Sequence, residues 1–146
     1  MQIYTIGFTK KGASEFFGLL EDADIERLID VRLRNRSQLS GFAKRDDLQF
    51  FLDRLLDIEY EHAQELAPTK TLLDEWRDDE IDWETYEDRF EDLLAERQVE
   101  NNLRRDSFEK RTVLLCSEHK PDQCHRRLIL DYLDEKWSDI EMIHLT

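Results

Sequence analysis

Thr112-Val113-Leu114-Leu115-Cys116, followed after a short polar stretch by Cys124-His125-Arg126 and then by Leu128, Ile129, Tyr132 and Leu133, decides how the chain folds. The first run is uninterrupted and mostly aliphatic, the pattern of a strand covered on both faces. The second carries apolar residues at helical spacing, with Pro121 set in a first-turn position ahead of them. A buried strand that runs through a short loop into a helix is the repeating unit of a parallel sheet. The same unit recurs towards the amino terminus. Ile3 to Ile6 form a β-prone run ended by Gly7, and Ser14 opens a helical segment carrying Phe16, Phe17, Leu19 and Leu20. Leu28-Ile29-Asp30-Val31 reads as a second strand, followed by a polar, arginine-rich loop from Arg32 to Arg45 and by Leu48, Phe51, Leu52 and Leu55 at helical spacing. An extended segment from Ile58 to His62 precedes Pro68 and a helical stretch beginning near Thr69. Trp83, Tyr86, Phe90, Leu93 and Leu94 mark the apolar face of a longer acidic helix that the pattern carries towards Leu103, and Ile140 to Leu145 form a last strand.

This alternation predicts a three-layer α/β/α sandwich around a mostly parallel sheet of about five strands, joined by right-handed crossovers. The chain has 146 residues, with no internal repeat or linker, so residues 1–146 are expected to form one domain. No stretch approaches the ~20 consecutive apolar residues of a membrane span, and the amino terminus enters a strand-like run without a basic and then apolar leader. Two cysteines cannot build a disulfide scaffold, and a domain of this size needs none, so the expected compartment is the reducing cytoplasm. Aromatic and aliphatic residues occur throughout, so the 38% of charged residues describe a folded acidic surface.

A formal charge of −14 repels polyanions and anionic lipid, which argues against non-specific nucleic-acid binding and against a membrane surface as partner. The charge is unevenly distributed. In a parallel sheet the loops leaving the carboxyl ends of the strands share one edge, where ligands of such folds bind. Residues 7–12 carry +2 through Lys10 and Lys11, residues 32–45 carry +5 through Arg32, Arg34, Arg36, Lys44 and Arg45, and residues 116–127 carry +1; these segments total +8 and leave −22 for the rest. An acidic protein with a cationic rim at that edge is arranged to focus a small anionic ligand or nucleotide. The bland account is that these side chains neutralise neighbouring carboxylates, and a charge run is more often a solvated face than a site. Arg32, Arg34 and Arg36 are too short a series for a nucleic-acid groove.

Cys116, Glu118, Cys124, His125 and Arg126 gather two thiols, a carboxylate, an imidazole and a guanidinium between a strand end and a helix start. A thiol beside cations and a helix amino terminus is favoured as thiolate, the form a nucleophile or a metal ligand needs. Histidine and glutamate can move protons, and arginine can grip an anion at two points. Each residue can also serve structure alone. The cysteines can be inert packed thiols, His125 can brace a loop, and Glu118 can pair with Arg126 or Arg127. Their convergence favours a site. Two cysteines and one histidine supply three zinc ligands at most, without close paired-cysteine spacing, so neither a metal nor another cofactor is expected. A cysteine phosphatase loop fails because Asp122 stands six residues after Cys116 where arginine is required, and a rhodanese-like loop fails for want of glycine.

Ile3-Tyr4-Thr5-Ile6-Gly7, Asp30-Val31-Arg32, Ser37, Phe42, Tyr60 with Leu66, and the blocks Leu114-Leu115-Cys116 and Cys124-His125-Arg126 together resemble the family called domain of unknown function 488. The resemblance spans nearly the whole chain and is most specific in its closing block. It implies a compact α/β fold and a shared pocket holding the cysteine, glutamate, histidine and arginine positions, without a settled activity. Phe8 stands where many relatives have histidine, and Asn35-Arg36-Ser37 replaces a usual proline before the serine.

The functional expectation is an enzyme acting on a phosphorylated or otherwise anionic substrate, with a nucleotide or nucleic-acid component among the candidates. Cys116 or Cys124 is the candidate nucleophile and Glu118 with His125 the proton-transfer pair. Arg32 and Arg126, supported by Lys10 and Arg36, hold the anion, and Asp30 orients an arginine. The alternative is a non-catalytic ligand-binding or redox-sensing module.

Overall fold

The computed structural model describes residues 1–35, 41–116 and 124–146. In chain order they form β1 (Gln2–Gly7), α1 (Ala13–Asp22), β2 (Arg27–Asp30), α2 (Arg45–Phe51), β3 (Glu59–His62), α3 (Lys70–Arg77), α4 (Trp83–Arg97), α5 (Val99–Asn102), β4 (Thr112–Cys116), α6 (His125–Trp137) and β5 (Glu141–Leu145). The five strands make one sheet in the order β3-β2-β4-β1-β5, and every neighbouring pair is parallel.

Alternation along the strands sends successive side chains to opposite faces, and each face is covered. Ile3, Ile29 and Leu114 pack with Tyr86, Phe90 and Leu94 of α4 and with Leu128 and Ile129 of α6. Tyr4, Leu28, Val113 and Leu115 pack on the other side with Phe16 and Leu20 of α1 and Leu48 of α2. This is the expected α/β/α sandwich. Among the described residues, no helix is long and apolar enough to cross a membrane.

Local chemistry sets the helix starts. Thr69 accepts a hydrogen bond from the Leu72 N–H at 3.2 Å and Asp82 from the Thr85 N–H at 2.8 Å, so α3 and α4 begin on side-chain caps. The acidic helix stops earlier than its apolar pattern implies. Gln98 takes a left-handed conformation (φ 52°, ψ 47°) that ends α4, and the chain resumes in the short α5. After α2 the chain widens into a π-helical turn over Leu52–Leu56. Its longer repeat leaves Leu55 62% exposed while Leu48 and Leu52 are buried, so the expected four-residue apolar face is interrupted.

Candidate functional site

Register brings three strand ends level. Gly7 pairs with Cys116 and Asp30 with Leu115, and the Val31 N–H donates to the Leu115 carbonyl at 3.0 Å, so the chain leaves β1, β2 and β4 at one height on one edge. The chain leaving β1 runs towards β2 through α1 on one face, whereas that leaving the adjacent β4 runs towards β5 through α6 on the opposite face. Neighbouring strands whose connections diverge open a crevice at their carboxyl ends, the usual ligand position in open α/β sheets.

Cys116 ends β4 and Cys124 is the residue on which α6 starts; both are buried. Their sulfurs lie within bonding distance, while the Cα atoms stand 7.5 Å apart, wider than the roughly 4.4–6.8 Å usual for a disulfide, so a settled bond draws the end of β4 and the start of α6 closer together. Arg126, in the first turn of α6, is 0% exposed, and its Nη1 donates to Cys116 Sγ at 3.2 Å. His125 points the other way. Its Nε2 donates to the Val31 carbonyl at 2.8 Å, pinning the start of α6 to the end of β2, and its ring meets Phe90 edge-on at 5.6 Å. Burial, reinforced by the Arg126 charge and opposed by the Val31 hydrogen bond, lowers its pKa to about 4. The ring is therefore a neutral imidazole carrying its proton on Nε2 at neutral pH.

Arg32, 2% exposed, is held by a wholly buried carboxylate. Its Nε donates to Asp30 Oδ1 and its Nη2 to Asp30 Oδ2, both at 2.8 Å, and its backbone N–H donates to Oδ1 at 3.1 Å. Tyr60 Oη and Asn35 Nδ2 complete the shell, donating to Oδ2 at 2.6 and 3.1 Å. Burial works to raise the Asp30 pKa, but the hydrogen bonds and charge of Arg32, with Tyr60 and Asn35, outweigh it and hold the carboxyl below the usual range. Burial and the Asp30 charge push the Tyr60 phenol up. His62 Nε2 donates to the Arg32 carbonyl at 2.8 Å, and the Phe8 ring lies under the guanidinium at 5.3 Å. That stacking gives Phe8 a place in the site that needs no acid or base chemistry. Arg32 Nη1 is buried and has no hydrogen-bond partner among the described residues.

The loop after β1 contributes a different lysine from the one singled out by sequence. Lys10 is exposed, with φ at 65°, in the turn that the Lys11 N–H closes onto the Phe8 carbonyl at 3.1 Å. Lys11 is 5% exposed, and burial together with the Arg126 charge lowers its pKa. The turn that sends Lys10 outward carries the next side chain inward. Glu118 and Arg36 lie outside the described residues. Of the remaining candidates the fold brings Cys116, Cys124 and Arg126 together and ties His125 to Val31, the residue before Arg32. It adds Asn35, Tyr60 and His62, to which the sequence pattern assigns no chemical role, and Lys11, which that pattern counts only as part of the cationic rim. A signal for two of them exists: Leu28 pairs with Tyr60 and Asp30 with His62, so polar residues two apart in an otherwise exposed strand face the Asp30 side. Among the described residues, no three histidine, cysteine or acidic side chains cluster as a metal site.

Fold and site define an α/β protein whose topological switch point falls between β1 and β4, with Arg32, Arg126, Lys11 and both cysteines buried at the neighbouring strand ends. The chain belongs to the family described as domain of unknown function DUF488, whose model matches residues 12–133. The match begins after β1 and ends within α6, so it includes both cysteines, both arginines and the Asp30 cluster. No curated protein and no solved structure matches the chain.

Proposed function

We propose that this protein is an enzyme acting on a phosphorylated or otherwise anionic small molecule, with nucleotides among the candidate substrates, bound where β1, β2 and β4 end. Arg126 and the buried Nη1 of Arg32 hold the anion, and Cys116 in its reduced state is the nucleophile. The observation that carries this reading is the wholly buried Arg126 guanidinium donating to Cys116 Sγ. Guanidinium does not shed its proton in proteins, so a buried one beside sulfur favours the thiolate and then any anion that approaches it. His125, neutral and tied to the Val31 carbonyl, acts here as the brace that sets Arg126 in place, and proton transfer is assigned to Glu118, two residues beyond Cys116.

The joined sulfurs favour a second reading, an anion-binding module without turnover whose thiols report the redox state. Titration of the reduced protein with phosphate-bearing ligands at fixed ionic strength tests the shared premise. Arg32→Ala and Arg126→Ala are each expected to weaken binding by tenfold or more, roughly the worth of one charge-assisted hydrogen bond. Arg126→Lys restores charge without the planar grip and recovers only part of the loss. Arg104→Ala, at an exposed site, changes nothing. Equal affinities across the series would remove the site. Turnover separates the readings: an enzyme releases product from a phosphate-bearing substrate and loses that release in Cys116→Ser while binding persists, whereas a module without turnover releases none in either form.

A further inference from the structure

We propose that Cys116 and Cys124 form a reversible dithiol–disulfide couple linked to anion binding at Arg126, the disulfide form binding the anion more tightly than the dithiol form. The inference rests on the anion site proposed above and names its regulation. Three placements carry it. The cysteines stand eight residues apart, one closing β4 and the other opening α6, yet their sulfurs meet. One of those sulfurs accepts from Arg126 at 3.2 Å. The other belongs to the residue on which a 13-residue helix starts, where the partial positive charge of the helix end favours thiolate.

In the dithiol state the Cys116 thiolate is an internal anion for Arg126, and an incoming phosphate must share the guanidinium with it. Oxidation removes that charge. A low-molecular-weight disulfide, R–S–S–R, accepts two electrons from the Cys116 thiolate and the Cys124 thiol, together with the Cys124 proton and one proton from solvent. One S–S bond forms within the protein, the S–S bond of the oxidant breaks, and two R–SH molecules leave. The sulfur beside Arg126 is then neutral, so it no longer offsets the guanidinium charge, and that charge attracts the external anion more strongly. By the same stroke the nucleophile is lost, so the oxidised protein holds its ligand without reacting. Linkage makes the effect reciprocal: the factor by which oxidation tightens phosphate binding is the factor by which phosphate shifts the couple towards the disulfide.

The test equilibrates the full chain at pH 8 over a series of oxidised-to-reduced dithiothreitol ratios, with inorganic phosphate or with chloride at matched ionic strength. Free thiols are trapped by acid and alkylation and counted by mass. Saturating phosphate is expected to raise the equilibrium constant for disulfide formation about fivefold or more, within the usual range of coupling between sites. In parallel, phosphate affinity is measured on the fully reduced and fully oxidised protein, and the ratio of the two affinities must equal that shift. Arg126→Gln abolishes the shift, and the affinity ratio in the unmodified chain supplies the same test if that variant does not fold. Equal phosphate affinity in both states would overturn the coupling and leave the anion site standing. Failure of the disulfide to form at any ratio would overturn the couple itself. Absence of phosphate binding in both states would overturn the anion site and this inference with it.

Discussion

Asp30 and Arg32 show what a buried ion pair demands of its neighbours. Both are almost wholly buried, and the carboxylate is tolerated there only because Arg32, Tyr60 and Asn35 all donate to it. Asp30→Asn leaves the guanidinium buried without its counter-charge and is expected to destabilise the fold by about 3–5 kcal/mol in urea denaturation. Tyr60→Phe removes one charge-assisted bond and is expected to cost about 1.5–3 kcal/mol in the same measurement. His125 supplies a pH dependence. Its native pKa of about 4 lies below the 6.5 of an unperturbed ring, so on acidification the unfolded chain takes up this proton first. Its contribution to stability is therefore present above about pH 6.5 and is lost as the pH falls from there towards 4. NMR titration of the ring should show Nε2–H persisting through neutral pH and protonation near 4; a ring titrating near 6.5 would contradict the bracing role. Asp30 acts in the same direction at lower pH, since its depressed native pKa yields stability that is lost as the pH falls below the ordinary carboxyl range.

At the scale of elements, the helix ends mark the limit of what side-chain periodicity conveys. Tyr86, Phe90 and Leu94 form one buried face of α4, as their spacing predicts, but nothing in that spacing places a left-handed residue at Gln98. That conformation strains any side chain with a Cβ, and glycine relieves it. Gln98→Gly is accordingly expected to raise stability by up to about 1 kcal/mol, read as a higher midpoint of thermal unfolding; a lower midpoint would show that the left-handed turn is not the chain's resting state. Leu55 teaches the same lesson. It matches Leu48, Phe51 and Leu52 in spacing, yet the π-helical turn at Leu52–Leu56 exposes it, because periodicity assumes the repeat it is meant to detect. The strands are easier to read. Thr112 to Cys116 and Ile3 to Ile6 are largely apolar on both sides because both faces of the sheet are covered, whereas a sheet with one solvated face would alternate apolar with polar residues.

Over the whole molecule, a charge of −14 surrounds an edge where Arg32, Arg126 and Lys11 are buried, as are Cys116 and Cys124. The alternation of strands and helices makes that shared edge legible, and with it the placing of Arg32 and Arg126, far apart in the chain, just beyond the neighbouring strands β2 and β4. The choice between Lys10 and Lys11 is not legible, because it turns on the φ angle of one residue in a four-residue turn. Neither are the roles of Tyr60 and His62, which follow from β3 pairing with β2, a neighbour relation that no local pattern specifies, nor that of Asn35, which depends on how the loop after β2 folds back onto Asp30. The central claim, an anion held by both arginines at the ends of β1, β2 and β4, is tested most directly by crystals of the reduced protein soaked in tungstate, a phosphate analogue located by its anomalous scattering. One well-occupied peak is expected within hydrogen-bonding distance of Arg32 Nη1 and the Arg126 guanidinium, beside Cys116. Tungstate bound only elsewhere on the surface, with that position empty at saturating concentration, would contradict it.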